Sequence, residues 1–174
     1  MVPIPWLKRT FSFDSPVSLL PNIVERLRGT PARLEDRLDR LPRKVLTLRT
    51  GEAWSIQEHV GHLLDLGSLD LTRLAEYAAG RQQLTPADRD NLKTNEARHN
   101  EREFRDLLAE FRRERIKMVL LLEDADEDFA ARVAIHPRLG TAMRLVDFAL
   151  FVAEHDDHHM ATISAILGAR YRMC

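Results

Sequence analysis

From about residue 16 onward, apolar residues recur every three or four positions along nearly the whole chain, a period that suits helices and leaves little room for a sheet. It runs through Phe104, Leu107, Leu108, Phe111, Ile116 and Val119, and again through Leu145, Phe148, Ala149, Val152, Ile163 and Ile166. No alternating segment is bracketed by hairpin turn residues, and only Val133 to Ile135 reads as a candidate strand. The expected class is all-α: a four-helix bundle with an additional amino-terminal helical segment.

Capping residues and breakers divide the period into elements. Residues 1–15 carry prolines and no period, which predicts an irregular arm with Trp6 or Phe11 docked on the bundle, and 16–174 then form a single helical domain. Pro16 opens a first helix carrying Val17, Leu20, Val24 and Leu27 and stopping near Gly29. Thr30 and Pro31 read as the cap and first residue of a second segment with Leu34, Leu38 and Leu41, ended by Pro42. A loop over 42–53 leads to Ser55 and Glu58, spaced as a capping box, so a long helix is expected from there to about Gly80. Thr85, Pro86 and Asp88 repeat the capping pattern before a helix over about 95–122. An ordered connection over 123–140 follows, and Thr141 caps a last helix over about 142–168.

Composition excludes several functions. With 26 basic and 27 acidic residues the chain has no global field to draw it to nucleic acid or an anionic membrane. Its one cysteine, Cys174, rules out an intramolecular disulfide, so the fold must stand on its core, and a reducing cytoplasm suits it. The opening MVPIPWLKRTFSFDSP lacks the apolar stretch of a signal peptide, and no run is long enough to span a bilayer.

The chemistry-bearing residues are the histidines. AEHDDHHMATI, residues 153–163, holds His155, His158 and His159 directly after an apolar run. His155 and His159, one turn apart, continue the apolar face, while His158 sits about 100 degrees of rotation away and reads as a rim residue. Spacing alone decides little, since a chain with 7 histidines often holds such a pair. A second source is EHVGHLL on the earlier long helix, where His59 falls inside the apolar sector and His62 at its edge, with periodicity slightly favouring His59. One of them with His155 and His159 would make a three-imidazole site across two helices, leaving positions for water or substrate. Against this, a histidine on an apolar face is commonly a core residue bonded to a carbonyl. Asp65, Asp156 and Asp157 read as solvated or capping groups, or as acceptors holding a ligand imidazole. His99 and His136 stand in charged or loop surroundings and are expected to be exposed, and Trp54 is expected to close the bundle end as a hydrophobic staple.

WSIQEHVGHLLD together with EHDDHHMATI resembles the DinB/YfiT-like superfamily of small bacterial four-helix-bundle metalloproteins. The match lies in Trp54, Ser55, Glu58, His62 and Leu63, then His155 and His159, and family-like flanks extend it over most of the chain from about residue 16. The resemblance implies that His62, rather than His59, joins His155 and His159 as a metal ligand. The implied metal is divalent zinc, nickel or iron. It also implies a thiol S-transferase type of enzyme that activates a low-molecular-weight thiol such as mycothiol, bacillithiol or glutathione toward a small-molecule electrophile. The alternatives are a metal-dependent hydrolase with His158 or Glu58 as proton shuttle, and a non-catalytic bundle stabilised by its metal. A homodimer through the exposed parts of the first helices is a further expectation.

Overall fold

The computed structural model describes residues 3–88 and 90–171, so Cys174 lies outside the described residues. Four long helices form the bundle: α1 (Leu20–Leu38), α3 (Ile56–Ala78), α5 (Phe104–Glu123) and α7 (Leu145–Tyr171). Three short ones, α2 (Arg43–Leu46), α4 (Leu92–Glu96) and α6 (Glu127–Ala130), lie in the connections, and no described helix is long and apolar enough to cross a membrane. Both α1 and α3 pack against α5 and α7, α3 with α5 most extensively, so two of the consecutive pairs among the long four, α1 with α3 and α5 with α7, are not main neighbours. Long connections are what such an arrangement requires, and two of them carry residues to the histidines.

α1 is one helix where two were expected. Its apolar stripe of Leu20, Ile23, Val24, Leu27, Leu34 and Leu38 is buried and keeps its period through Gly29, Thr30 and Pro31. An interior proline costs about 3 kcal/mol, yet each buried leucine returns about 1.5–3 kcal/mol, so the continuous stripe outweighs the breaker. The helix expected from residue 95 begins instead at Phe104, because Asn91 and Arg98 take left-handed backbone at φ 52° and fold 92–101 into α4 and a 3-10 turn against α3. Gln57 Nε2 fastens that turn by donating to the carbonyls of His99 (2.5 Å) and Arg102 (2.9 Å).

The capping box is present: the Glu58 amide donates to Ser55 Oγ at 3.1 Å and the Ser55 amide to Glu58 Oε2 at 2.8 Å. Thr141, by contrast, caps nothing. It begins β2 (Thr141–Arg144), which pairs antiparallel with β1 (Val133–His136) in the register Val133 with Arg144 and His136 with Thr141. α7 therefore starts at Leu145, with the Arg144 amide donating to the Asp147 carboxylate at 3.2 Å. Alternate residues of β1, Ala134 and His136, point inward.

The interior divides into two apolar clusters, and each long helix passes from one to the other at a buried polar residue: Thr30, Asp70, Arg115 and Asp156. Arg115 donates to Asp156 Oδ1 at 2.8 Å and stands 3.9 Å from Asp70. Asp156, expected to be solvated, is 0 % exposed, because α5 brings it a guanidinium. The arm docks as expected. Trp6, Phe11 and Phe13 all pack on Phe151 of α7, and Arg9 pairs with Glu154.

Candidate metal centre

The centre lies between α3 and α7. Val60 and Leu63 bury one sector of α3 and set His59 and His62 beside it, while Phe151, Val152 and Ile163 fix the turns of α7 carrying His155 and His159. His62, His155 and His159 each bring one ring nitrogen within 4.8 Å of the others. Nε2 of His155 and Nε2 of His159 are 3.1 Å apart. Two imidazole nitrogens on one tetrahedral ion at about 2.0–2.1 Å would stand about 3.3 Å apart, so the rings already lie near the spacing such an ion requires.

Hydrogen bonds fix the tautomers. Thr94 Oγ1 donates to Asp65 Oδ2 at 2.9 Å, which leaves its lone pair for His62 Nδ1 at 3.0 Å. The His62 proton then sits on Nδ1, and Nε2 is the free donor. His99 Nε2 holds the same Asp65 oxygen from the other side at 2.8 Å. His59 Nδ1 lies 2.8 Å from His159 Nδ1 and can accept its proton, which leaves His159 Nε2 to face His155. His59 is thus placed as a partner that orients His159. His158 stands further out, its ring 5.4 Å from that of His159.

Burial keeps the cluster neutral, the form in which imidazole ligates. It pushes His62 down to about 4, with Asp65 opposing, and His59 down to about 4, with the neighbouring His62 adding to the effect. His155 and His159 are held well below the ordinary value by burial and then by the other imidazoles. Asp65 is pushed up by burial, but the hydrogen bonds from His99 and Thr94 keep its carboxyl below the usual carboxylate range.

Two tryptophans flank the rings. Trp54 packs on His62 with centroids 4.8 Å apart and donates from Nε1 to Asn95 at 3.0 Å, so it covers the histidines rather than merely stapling the helix start. Trp6 from the arm packs edge-on to His155 at 4.8 Å and lies 5.7 Å from His158. The nearby carboxylates are engaged: Glu58 with Arg49 and the Ser55 amide, Glu154 with Arg9 and Arg26, Asp157 with Arg26 and Arg33.

His99 and His136, expected to be exposed, are each only 2 % exposed. Arg98 and Glu101 beside His99 are turned outward by the 3-10 turn, and the alternation of β1 turns His136 inward. Thr94 was not anticipated as part of the site. The signal for His99 was Gly61 in mid-helix, since a Cβ there would stand 2.3 Å from the His99 ring.

The three convergent neutral imidazoles from two helices make this a helical bundle with an internal histidine cluster that could hold a metal ion. The model of the DinB superfamily matches residues 26–163, and the chain belongs to that superfamily. Among solved structures it is similar to YfiT from Bacillus subtilis, described as a probable metal-dependent hydrolase with an unusual four-helix bundle topology, at 18% identity and TM-score 0.77 over 91% of both chains. It is also similar to a mycothiol-dependent maleylpyruvate isomerase, at 11% identity and TM-score 0.66, over 88% of this chain and 63% of that one. Both likenesses are likenesses of fold. No curated protein matches the chain.

Proposed function

We propose that the chain is a metal-dependent enzyme in which His62, His155 and His159 hold a divalent ion, zinc, nickel or iron, and whose nucleophile is a low-molecular-weight thiol transferred to a small electrophile. The carrying observation is the convergence of three neutral imidazoles, with the Nδ1 proton of His62 pinned by Thr94 and that of His159 accepted by His59. A bound ion would act there as a Lewis acid, lowering the pKa of a thiol or water.

The chain's own groups favour the thiol. Activating water calls for a stronger base than a thiol needs, and the nearby carboxylates Glu58, Asp65, Glu154 and Asp157 are all committed to hydrogen bonds or ion pairs, which leaves His158 as the proton acceptor. A thiol with an ordinary pKa near 8.5 needs less help to ionise. His158, half-buried at the rim, would pass the released proton to solvent, and Trp6 and Trp54 pack against the imidazole rings on either side. The second reading, a hydrolase, is favoured by the likeness to YfiT, described as a probable metal-dependent hydrolase. A homodimer belongs to the proposal, supported by the exposed Ile116, Leu120 and Leu121, although these lie on α5 rather than on the first helices. A reducing cytoplasm, where such thiols are kept reduced, is the compartment proposed.

The test is to incubate metal-loaded protein with mycothiol, bacillithiol or glutathione and a panel of electrophiles, beside a panel of esters and amides. Metal-dependent consumption of one thiol, lost in His155→Ala, is expected. Ester or amide cleavage without thiol consumption would establish the second reading, and neither activity would leave a bundle that uses metal for stability alone.

A further inference from the structure

His62 can offer Nε2 to a cation only if its proton sits on Nδ1, and the group beside Nδ1 is a hydroxyl that could impose either tautomer. Thr94 Oγ1, 3.0 Å from His62 Nδ1, is both a donor and an acceptor. Were it to donate to Nδ1, the ring would carry its proton on Nε2 and turn an N–H, not a lone pair, toward His155 and His159. The direction of this hydroxyl therefore decides whether His62 can ligate at all, and it has to be set by a third group.

Asp65, one turn beyond His62 on α3, is that group. An ionised carboxylate only accepts, and Oδ2 lies 2.9 Å from Thr94 Oγ1, so the hydroxyl proton points to Asp65 and a lone pair is left for His62. The same Oδ2 accepts from His99 Nε2 at 2.8 Å, from the opposite side. Among the described residues His99 Nδ1 has no partner, so the bond to Asp65 is the one hydrogen bond its ring makes. The ring is seated against Gly61, the residue directly before His62, where a Cβ would come within 2.3 Å of it. Thr94 and His99 both come from the connection over 92–101, which Ser55 Oγ helps to hold by donating to Asn100 Oδ1 at 2.7 Å. His62, Thr94 and His99 are all buried, so protein groups rather than bulk solvent complete the chain.

We propose that Asp65 and His99 are positioning residues for the centre: His99 holds the Asp65 carboxylate toward Thr94, Asp65 turns the Thr94 hydroxyl, and the hydroxyl keeps the His62 proton on Nδ1 with the Nε2 lone pair free for a cation. The carboxylate thus acts on the ligand through a hydroxyl, two hydrogen bonds away, rather than by touching it. Ligation by His62 rests on the metal reading. The setting of its tautomer does not, because it operates in the metal-free protein.

The experiment is nitrogen NMR of the metal-free full chain labelled at histidine, at neutral pH, with the His62 signals assigned from their absence in His62→Gln, beside a competing-chelator titration with zinc. The wild type is expected to carry the His62 proton on Nδ1. Asp65→Ala frees the Thr94 hydroxyl to donate to Nδ1, so the proton should move to Nε2 and zinc affinity should fall about 10–100-fold. His99→Phe keeps a ring beside Gly61 but removes the donor, and should give a measurable Nε2-protonated fraction with about tenfold weaker zinc binding. His99→Gln, whose amide can donate to the same oxygen, should restore the wild-type tautomer, which a role in packing alone does not predict. Circular dichroism identifies a variant that fails to fold, and the wild-type spectrum tests the proposal whether or not the variants fold. A wild-type proton on Nε2, an unchanged tautomer in folded Asp65→Ala or His99→Phe, or equal effects of His99→Phe and His99→Gln would each overturn it. A tautomer that follows Asp65 and His99 in a protein that takes up no zinc would keep the positioning role and remove the metal reading.

Discussion

His155 and Asp156 are adjacent on α7, both lie in the bundle interior, and they belong to different kinds of buried polarity. Asp156 turns to Arg115 on α5, with Asp70 close by, and this layer pairs opposite charges within the fold. His155 joins groups of one kind, imidazoles kept neutral by burial, with lone pairs that converge on one another. The first cluster largely completes itself, although one N–H of Arg115 and one oxygen of Asp156 lack partners among the described residues. A cation would complete the second. Buried polarity in this protein is therefore of two kinds, one in which charges cancel within the fold and one, proposed to be functional, in which donors of one type gather.

The largest effect should come from breaking the charged layer. Arg115→Ala strands two buried carboxylates and should cost about 3–5 kcal/mol, read as a fall in Tm of about 6–20 °C, while the folded protein keeps its metal affinity. A loss below about 1 kcal/mol would show that the layer is not structural. Thr94→Val should act the other way round. It removes the acceptor that orients His62, so metal affinity in a competing-chelator titration should fall about 10–100-fold, with little change in stability. Unchanged affinity would remove Thr94 from the site.

Acid separates the clusters by sign. His59, His62 and His136 have folded pKa values lowered from 6.5 to about 4, so between those limits the unfolded chain binds more protons, and the stability present above pH 6.5 is lost as pH falls. Each contributes at most about 1.4 kcal/mol per pH unit in that window. Asp70, raised by burial from 3.8 to about 6 against the pull of Arg115, works in the opposite direction between those values. The metal-free protein should therefore lose net stability from pH 6.5 to 4, followed by urea unfolding, and Asp70→Asn should steepen the loss. A flat profile would mean that the imidazoles are not held neutral by burial.

Much of the histidine cluster was legible in the sequence, because His155 and His159 continue an apolar face whose period is unambiguous. The choice between His59 and His62 was not legible from periodicity: both are buried, and what separates them is Thr94, delivered by a connection whose left-handed residues Asn91 and Arg98 follow no simple pattern. The charged layer was invisible for a related reason. Arg115 sits in FRRER, where charges read as a solvated face, and only the ion pair it makes across the interior to Asp156 on α7 shows that this one is paired. In α1 the stripe was continuous, and the breakers Gly29 and Pro31 misled because tertiary burial outweighs a single unfavourable residue. The hairpin escaped because strands of four residues leave almost no period to read.

The central claim is that the three convergent histidines, and no other buried polar group, hold a metal ion. Metal analysis of the purified protein beside its His62→Ala, His155→Ala and Arg115→Ala variants tests it most directly. The account predicts about one divalent ion per chain in the wild type and in whatever Arg115→Ala folds, and almost none in the two histidine variants. Full metal content in both histidine variants would contradict it.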